Sequence, residues 1–426
     1  MKGGLAALVI KVGAAGLQFA MFLVLAQALN ASTYGTFGFG FSLAVLLAVA
    51  GSFGQRMLSL RYVSIYAAQG QNRLATGRIR DGFWIITLGT VAFAVLSAPA
   101  FIWMRPELGW PFIAATGVFA LTTAWAEYFA FVLRAYDRMS LALAPRDVIW
   151  RGLVILSAIP LILFWPGQSS AAQITWLLTA LLVAMVLVQV HLHPATRPKA
   201  LFLAPAAYDR ATWRPRMWGL WGVSVLQITA PNLVVVLLGL MLSPADTGPT
   251  FAALRIALLM NLVLLAANMV VSPTISRLHH DGKTRALQRT CATVAAIAGG
   301  SALLIFLGLI LFGVWLLSLF GTGFETGYNV LLIVAGSYAV NALTGPTSVL
   351  LELTSHDRAA FRLLARMNLI AMAAMIPMIW AFGPVGAALC LALSVAGWNL
   401  EAVRYTRREM GIDPSVLGLM RQGQLS

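Results

Sequence analysis

The chain has 426 residues, of which 60% are hydrophobic and 10% are charged. A soluble protein would carry about 25% charged residues, so this composition excludes a water-soluble globular protein. The formal net charge of +15 is compatible with a nucleic-acid-binding protein. However, the basic residues lie between apolar segments along the whole chain, which argues against a nucleic-acid surface.

A membrane-spanning helix needs about 20 mostly apolar residues. The spans predicted on this basis, in chain order, are 5–29, 36–55, 82–104, 111–133, 147–165, 171–192, 217–241, 250–273, 290–319, 327–351, 367–383 and 385–403. Alternation at a period of two is absent, and spanning backbone must satisfy its own hydrogen bonds, so the spans are expected to be helices. The predicted fold class is an all-α integral membrane protein with about twelve transmembrane helices.

The distribution of basic residues predicts the topology. If the N-terminus is cytoplasmic, 26 of the 29 lysines and arginines lie on the cytoplasmic side. Arg105 lies in an opposite-side loop, and Lys11 and Arg255 lie within spans. This bias is the positive-inside rule, and it predicts a multi-pass plasma-membrane protein with both termini in the cytoplasm. Anionic membrane lipids, rather than nucleic acid, are the expected partners of the basic surface.

Short motifs recur in the same order about half a chain length later. The recurring pairs are Leu29-Asn30 and Leu242-Ser243, Gly70 and Gly282, Asp137-Arg138 and Asp357-Arg358, and Ile159-Pro160 and Ile376-Pro377. Because six spans per half is an even number, both halves enter the membrane in the same orientation, as parallel repeats do. We therefore predict an N-terminal lobe at 1–192, a proline-containing cytoplasmic linker at 193–216, a C-terminal lobe at 217–404 and a cytoplasmic tail at 405–426.

Residue patterns for an enzyme are missing. The outer loops are short, and the sequence contains no phosphate-binding Walker motif. The pairs His191/His193 and His279/His280 lack cysteine or acidic companions at ligand spacing, which argues against a metal site. We therefore expect a transporter rather than an enzyme, without a metal or an organic cofactor.

Charged residues inside a bilayer are functional candidates, because each costs about 2.5–3.5 kcal/mol on insertion scales. Lys11 lies in the first span, Glu127 in the fourth and Arg255 in the eighth. A purely structural role is the alternative for each of these three residues. Lys11 can extend to the headgroups, Arg255 can anchor the outer interface, and Glu127 can pair with a nearby arginine.

Polar amides accompany these charges. Gln18 shares a helical face with Lys11, Asn261 shares one with Asn268, and Gln227 lies in the seventh span. The repeat relates spans 1 and 2 to spans 7 and 8, so these residues are predicted to form a polar seam between the lobes. Ordinary hydrogen bonding between helices is the alternative for each amide.

Weak motifs along nearly the whole chain carry a family resemblance. They are Leu29-Asn30 with Tyr34-Gly35-x-Phe37, Gly248-x-x-Phe251-Ala-Ala-x-Arg255, Asn268-x-x-x-Ser272-Pro273, the cytoplasmic Gly-x-x-Arg, and Ile376-Pro377 with Gly383-Pro384-x-Gly386. The chain resembles the Wzx-type polysaccharide flippases of the multidrug/oligosaccharidyl-lipid/polysaccharide (MOP) exporter superfamily. This resemblance implies two six-helix bundles in a V. It also implies translocation of undecaprenyl-diphosphate-linked oligosaccharides across the bacterial inner membrane for surface or exopolysaccharide assembly, beside a polymerase and glycosyltransferases.

The same superfamily contains drug exporters and lipid II flippases. Drug exporters carry intramembrane carboxylates, whereas the first span here has Lys11 and the seventh has no acid. Lipid II flippases use basic residues in the first, second and eighth spans. Lys11, Arg56 at the mouth of the second span, and Arg255 lie in comparable places, although those flippases typically have fourteen spans. Both activities remain alternatives, as does a non-transporting scaffold or transferase of glycan assembly.

An anionic substrate follows from the expected site. The predicted substrate-binding residues are Lys11, Gln18, Arg56, Gln227, Arg255, Asn261 and Asn268. An inside-negative potential favours outward movement of an anion by about 2.3 kcal/mol per charge per 100 mV. Glu127 is the predicted ion-coupling residue, because burial would bring the carboxyl into a range where it can titrate. Coupling to protons or to sodium remains open.

Overall fold

The computed structural model describes the backbone of residues 2–165 and 167–424 and the side chains of residues 13–165 and 167–420. These residues form helices and connecting turns, without a β-strand among them. The helices before the central connection are α1 (Lys2–Ala28), α2 (Ala31–Gly51), α3 (Gln55–Ala68), α4 (Asn72–Met104), α5 (Gly109–Ala135), α6 (Met139–Ala144), α7 (Arg151–Phe164) and α8 (Ala171–His191). Those after it are α9 (Arg210–Met241), α10 (Pro244–Leu258), α11 (Asn261–His280), α12 (Thr284–Ser318), α13 (Tyr328–Thr344), α14 (Thr347–Leu353) and α15 (Asp357–Glu409).

Ten helical segments of the described chain are long and apolar enough to cross a membrane. A shorter apolar segment of α1, Gly13–Ala28, precedes them. The 53 residues of α15 include a non-helical residue, Gly383, with φ 58°. At about 1.5 Å per residue this helix is long enough to hold both of the last two predicted spans. The prediction of an all-α protein with many membrane spans is confirmed.

The sequence repeat is also a repeat of local structure. Asn30 caps α2 and Ser243 caps α10, each by accepting a hydrogen bond from the backbone N–H three residues later, at 2.8 and 3.3 Å. Gly70 and Gly282 have φ angles of 69° and 67° in the turns before α4 and α12. Each glycine carbonyl accepts from the N–H two residues on, at 2.9 and 3.0 Å. Left-handed backbone favours glycine, which explains this residue at both turns.

The chain divides into two compact units, 1–240 and 241–426. Helix α9, which begins the predicted second lobe, therefore groups with the first unit. Its indole groups provide the contacts: Trp213 Nε1 donates to Tyr66 Oη at 2.9 Å, and Trp221 Nε1 donates to the carbonyl of Ala50 at 2.9 Å. The ring of Trp221 also stacks on Phe53, with 5.7 Å between centroids.

The predicted linker at 193–216 is shorter in the structure, because α9 already begins at Arg210. The connection contains a 3-10 turn at Pro194–Thr196 and a π-helical segment at Lys199–Leu203. The guanidinium of Arg80 in α4 donates to the carbonyls of Leu201 and Ala204. These hydrogen bonds hold the connection against the first unit.

The predicted topology has a direct test. Cysteines introduced at exposed positions 205 and 246 should react with a membrane-impermeant thiol reagent from opposite sides, 205 from the cytoplasm and 246 from outside. The native thiols, Cys291 and Cys390, are buried and give a low background. Labelling of both introduced cysteines from outside would contradict the cytoplasmic placement of the connection.

Candidate functional site

A break between α2 and α3 places Arg56 inside the first unit. Phe53 and Gly54 have φ angles of 42° and 71°, so the chain turns sharply before α3 begins at Gln55. A Cβ atom at position 54 would lie 2.7 Å from the carbonyl oxygen of Met217, so the close approach of α9 also requires glycine. Arg56, expected at the mouth of the span, is 7% exposed.

A second irregular segment brings in more charges. Residues Pro145–Trp150 form a π-helical turn between α6 and α7, a distortion that is frequent at functional sites. This turn carries Arg146 and Asp147, and α7 begins with Arg151. Arg151 lies 3.5 Å from the carboxylate of Asp147 and also donates to the backbone carbonyl of Ala14 in α1. Arg151 therefore links Asp147 of the π-helical turn to α1, the helix that contains Lys11 and Gln18.

Glu127 of α5 connects the two irregular segments. Its carboxylate forms an ion pair with Arg56 and a second one with Arg146, at 3.2 Å from Nη1. Arg146 also contacts Asp147 at 3.2 Å. We call Arg56, Glu127, Arg146, Asp147 and Arg151 the buried charge cluster, in which Arg56 and Arg151 are buried and the other three are partly buried. Its three guanidiniums and two carboxylates give a formal excess of one positive charge.

The pairing of Glu127 with arginine is the structural alternative that the sequence left open. Its predicted role in ion coupling stays a prediction. Sequence reasoning did not assign Arg146, Asp147 or Arg151 to the site, because it places Arg146 and Arg151 on the cytoplasmic side and Asp147 at the first position of the fifth predicted span. One available signal was the spacing of Asp147 and Arg151, since residues four apart face each other on a helix.

A further buried arginine adjoins this cluster. Arg78 of α4 is 1% exposed and donates to the side chain of Gln55, the neighbour of Arg56. Its guanidinium also lies 4.7 Å from the ring centroid of Trp213 and 3.4 Å from the carboxylate of Asp81. Burial of a guanidinium requires such partners.

In the second unit, α10 and α11 are separated by a break one turn after Arg255. The N–H groups of Leu259 and Met260 bond to carbonyls three residues back, at 3.1 Å each, so the helix tightens there. The guanidinium carbon of Arg255 lies 4.4 Å from the ring centroid of buried Phe251. Helix α10, which carries Arg255, packs against α13, which contains Tyr338.

Asn261 begins α11 directly after this break. Its Oδ1 atom lies 3.5 Å from Nδ2 of Asn341, one turn along α13 from Tyr338. Arg255 and Asn261 therefore lie on helices that both pack against α13. Asn268 lies two turns further along α11, and its Oδ1 is buried without a hydrogen-bond partner among the described residues.

The remaining predicted site residues lie on α1 and α9. Gln18 is half-buried in α1. The backbone of Lys11 belongs to the same helix, but its side chain lies outside the described residues. Gln227 is exposed on α9, whereas the nearby Asn232 is buried and donates to the carbonyl of Ile228 at 2.9 Å.

At the buried charge cluster and at Arg255, arginine side chains are available to bind anions. A guanidinium presents a planar fork of donors that fits phosphate oxygens. Within the described residues, no group of three or more His, Cys, Asp or Glu side chains is placed to hold a metal ion.

Comparisons with known proteins agree on the fold. No protein-family model and no curated protein sequence matches this chain. Among solved structures, it is similar to an inward-facing multidrug resistance MATE family transporter of the MOP superfamily, with a TM-score of 0.73, 13% identity and coverage of 97% of this chain and 95% of that one. It is similar to the lipid II flippase MurJ, with a TM-score of 0.67, 15% identity and coverage of 99% and 92%.

A third similar structure is a MOP superfamily transporter from Pyrococcus furiosus whose binding pocket is described as reversed in polarity. The TM-score is 0.58, the identity is 12%, and the match covers 98% of this chain and 96% of that one. The chain therefore has the fold found in MOP superfamily transporters over nearly its whole length.

Proposed function

We propose that this chain is a Wzx-type flippase that moves undecaprenyl-diphosphate-linked oligosaccharides across the inner membrane. The observation that carries the proposal is the excess of buried arginine in a fold found in transporters. A diphosphate in a low-dielectric cavity requires cationic partners. The buried charge cluster and Arg255 supply them. The partners proposed with this activity are the lipid-linked glycan, a polysaccharide polymerase and glycosyltransferases.

The helix breaks support a mechanism of alternating access. In each half of the repeat, the second span breaks close to an arginine, before Arg56 in one case and after Arg255 in the other. A few residues at the end of a helix can absorb the backbone rotations of a conformational change. We infer that these paired breaks allow the arginines to be presented to the two sides of the membrane in turn.

Lipid II flipping is a second candidate, because the likeness to MurJ covers 99% of this chain. Lipid II also presents a diphosphate, so the buried arginines favour neither glycan over the other. Drug export, the activity named for the MATE relatives, is less consistent with the excess of cationic groups. Cationic drugs would be repelled by them.

Translocation in proteoliposomes distinguishes these activities. We expect the purified protein to move a fluorescent undecaprenyl-diphosphate oligosaccharide faster than the matched monophosphate lipid, since each lost phosphate removes a charge-assisted contact. Imposed proton and sodium gradients would identify the coupling ion. Movement of lipid II alone would support the second candidate. Movement of a cationic drug without any diphosphate lipid would contradict both flippase proposals.

A further inference from the structure

A cavity of about 700 Å³ lies in the first unit, beside α3, the end of α5 and α9. Its lining includes Arg61, Ser64, Arg134, Tyr136, Asp137 and Leu220. Small-molecule sites in proteins have volumes of about 300–1,000 Å³, so the cavity is large enough for a diphosphate with an adjoining sugar. By the predicted topology, this end of the unit faces the cytoplasm.

The two arginines of this cavity differ from those of the buried charge cluster. Arg56, Arg146 and Arg151 each contact a carboxylate. Within the part of the chain that the structure describes, neither Arg61 nor Arg134 forms an ion pair. Asp137 also lines the cavity, at a left-handed turn with φ 58°, so the lining has one carboxylate for two guanidiniums. The cavity is therefore cationic, and its arginines are available to a ligand.

One aromatic ring connects the cavity to the buried charge cluster. The guanidinium of Arg134 lies 4.7 Å from the ring centroid of Phe131, and that of Arg56 lies 5.8 Å from the same centroid. An anion held by Arg134 is thus one side chain away from Arg56. A phosphate group that moves from the cavity to the buried charge cluster would therefore contact Arg134 first and Arg56 next.

We propose that this cavity is the docking site for the diphosphate of the substrate, where Arg61 and Arg134 bind the phosphate oxygens before the group reaches the buried charge cluster. This inference rests on the proposed function and deepens it, because it assigns the first contact on the cytoplasmic side. Two guanidinium forks are complementary to two adjacent phosphates. The ligand class is a diphosphate ester, with inorganic pyrophosphate as its soluble counterpart.

The test compares two double variants that each remove two positive charges. Arg61→Gln/Arg134→Gln should raise the KM for the lipid-linked diphosphate at least tenfold and leave kcat within twofold, because an initial binding contact acts mainly on KM. Arg73→Gln/Arg138→Gln removes two exposed arginines that do not line the cavity and should change KM less than threefold. If the two double variants raise KM equally, the cavity arginines act only through general electrostatic attraction, and the proposal is wrong.

A conservative variant keeps the test valid if the glutamine variant folds poorly. Arg61→Lys/Arg134→Lys retains both charges and loses both forks, so it should give a KM between those of the wild type and the glutamine variant. A wild-type KM in the lysine variant would show that charge alone suffices and would overturn the assignment of a guanidinium-specific site.

Direct binding separates this inference from the proposed function. In a Ser64→Cys variant, inorganic pyrophosphate should protect the introduced thiol from alkylation, and the protection should disappear in the Arg61→Gln/Arg134→Gln background. Absence of protection in the parent protein would overturn the cavity site. Protection in a protein that moves no lipid-linked diphosphate would overturn the proposed function and retain the anion site.

Phospholipid headgroups are the other source of phosphate. Vesicles of phosphatidylcholine are compared with vesicles that contain added phosphatidylglycerol. An unchanged wild-type KM supports substrate docking. If phosphatidylglycerol raises the KM of the wild type and leaves that of the glutamine variant unchanged, the cavity binds phospholipid, and the proposal is wrong.

Discussion

Glu127→Gln is expected to destabilise the protein strongly and to impair transport. The substitution leaves Arg56 and Arg146 without the carboxylate that they share. Removal of one partner from a buried ion pair typically costs about 3–5 kcal/mol, because the remaining charge stays desolvated. The measurement is thermal unfolding in detergent, with Glu352→Gln as the control. Glu352 is exposed and lies outside the buried charge cluster, so its variant should unfold like the wild type.

A double substitution separates the loss of pairing from the loss of a titrating group. Arg56→Gln with Glu127→Gln removes both charges of one pair, so it should recover part of the stability lost in Glu127→Gln. If the losses of stability in the two single variants simply add in the double variant, the ion pair contributes nothing to stability.

Ion coupling is tested in the same variants. If transport by Glu127→Gln still responds fully to imposed proton and sodium gradients, Glu127 is a structural partner of the arginines.

The spans and the repeat were predictable because short stretches of sequence determine them. Long apolar runs identify membrane helices, and the residues at Asn30, Ser243, Gly70 and Gly282 are those that caps and left-handed turns require. These signals depend on a few neighbouring residues. They therefore gave the fold class correctly without any knowledge of tertiary contacts.

The buried charge cluster was not predictable in the same way. Glu127 is far in sequence from Arg56, and the two meet because the backbone turns at Phe53 and Gly54. Arg146 reaches Glu127 from a π-helical turn, which has no distinctive pattern of hydrophobic residues. A window of hydropathy places such arginines in cytoplasmic loops, whereas their burial depends on contacts between distant helices.

The sequence also did not predict that α9 groups with the first unit. Prolines at 194, 198, 205 and 215 indicated a linker up to residue 216. Pro215 instead lies early in α9, and Pro231 lies further along the same helix. Proline is tolerated in membrane helices where neighbouring groups satisfy the freed backbone. The packing of Trp213 and Trp221 groups α9 with the first compact unit, and the predicted lobe boundary stays a prediction.

Arg255→Ala is expected to impair flipping severely while the protein still inserts and folds. If Arg255 binds the diphosphate in a desolvated site, its loss should cost about 2–5 kcal/mol, a fall of about thirtyfold or more in kcat/KM. Arg255→Lys should retain part of the activity, because it keeps the charge and loses the planar fork. Lys11→Ala is predicted to act in the same direction.

The control for this prediction is Arg277→Ala, which lies four residues beyond the predicted span 250–273, exposed near the cytoplasmic end of α11. Its loss removes the same charge and should leave translocation within about twofold of the wild type, as surface substitutions usually have small effects. The alternative for Arg255 is an anchor at the outer interface. An anchor would change insertion or stability without a specific effect on substrate. Full translocation by a correctly inserted Arg255→Ala variant would therefore favour the anchor and remove Arg255 from the proposed binding site.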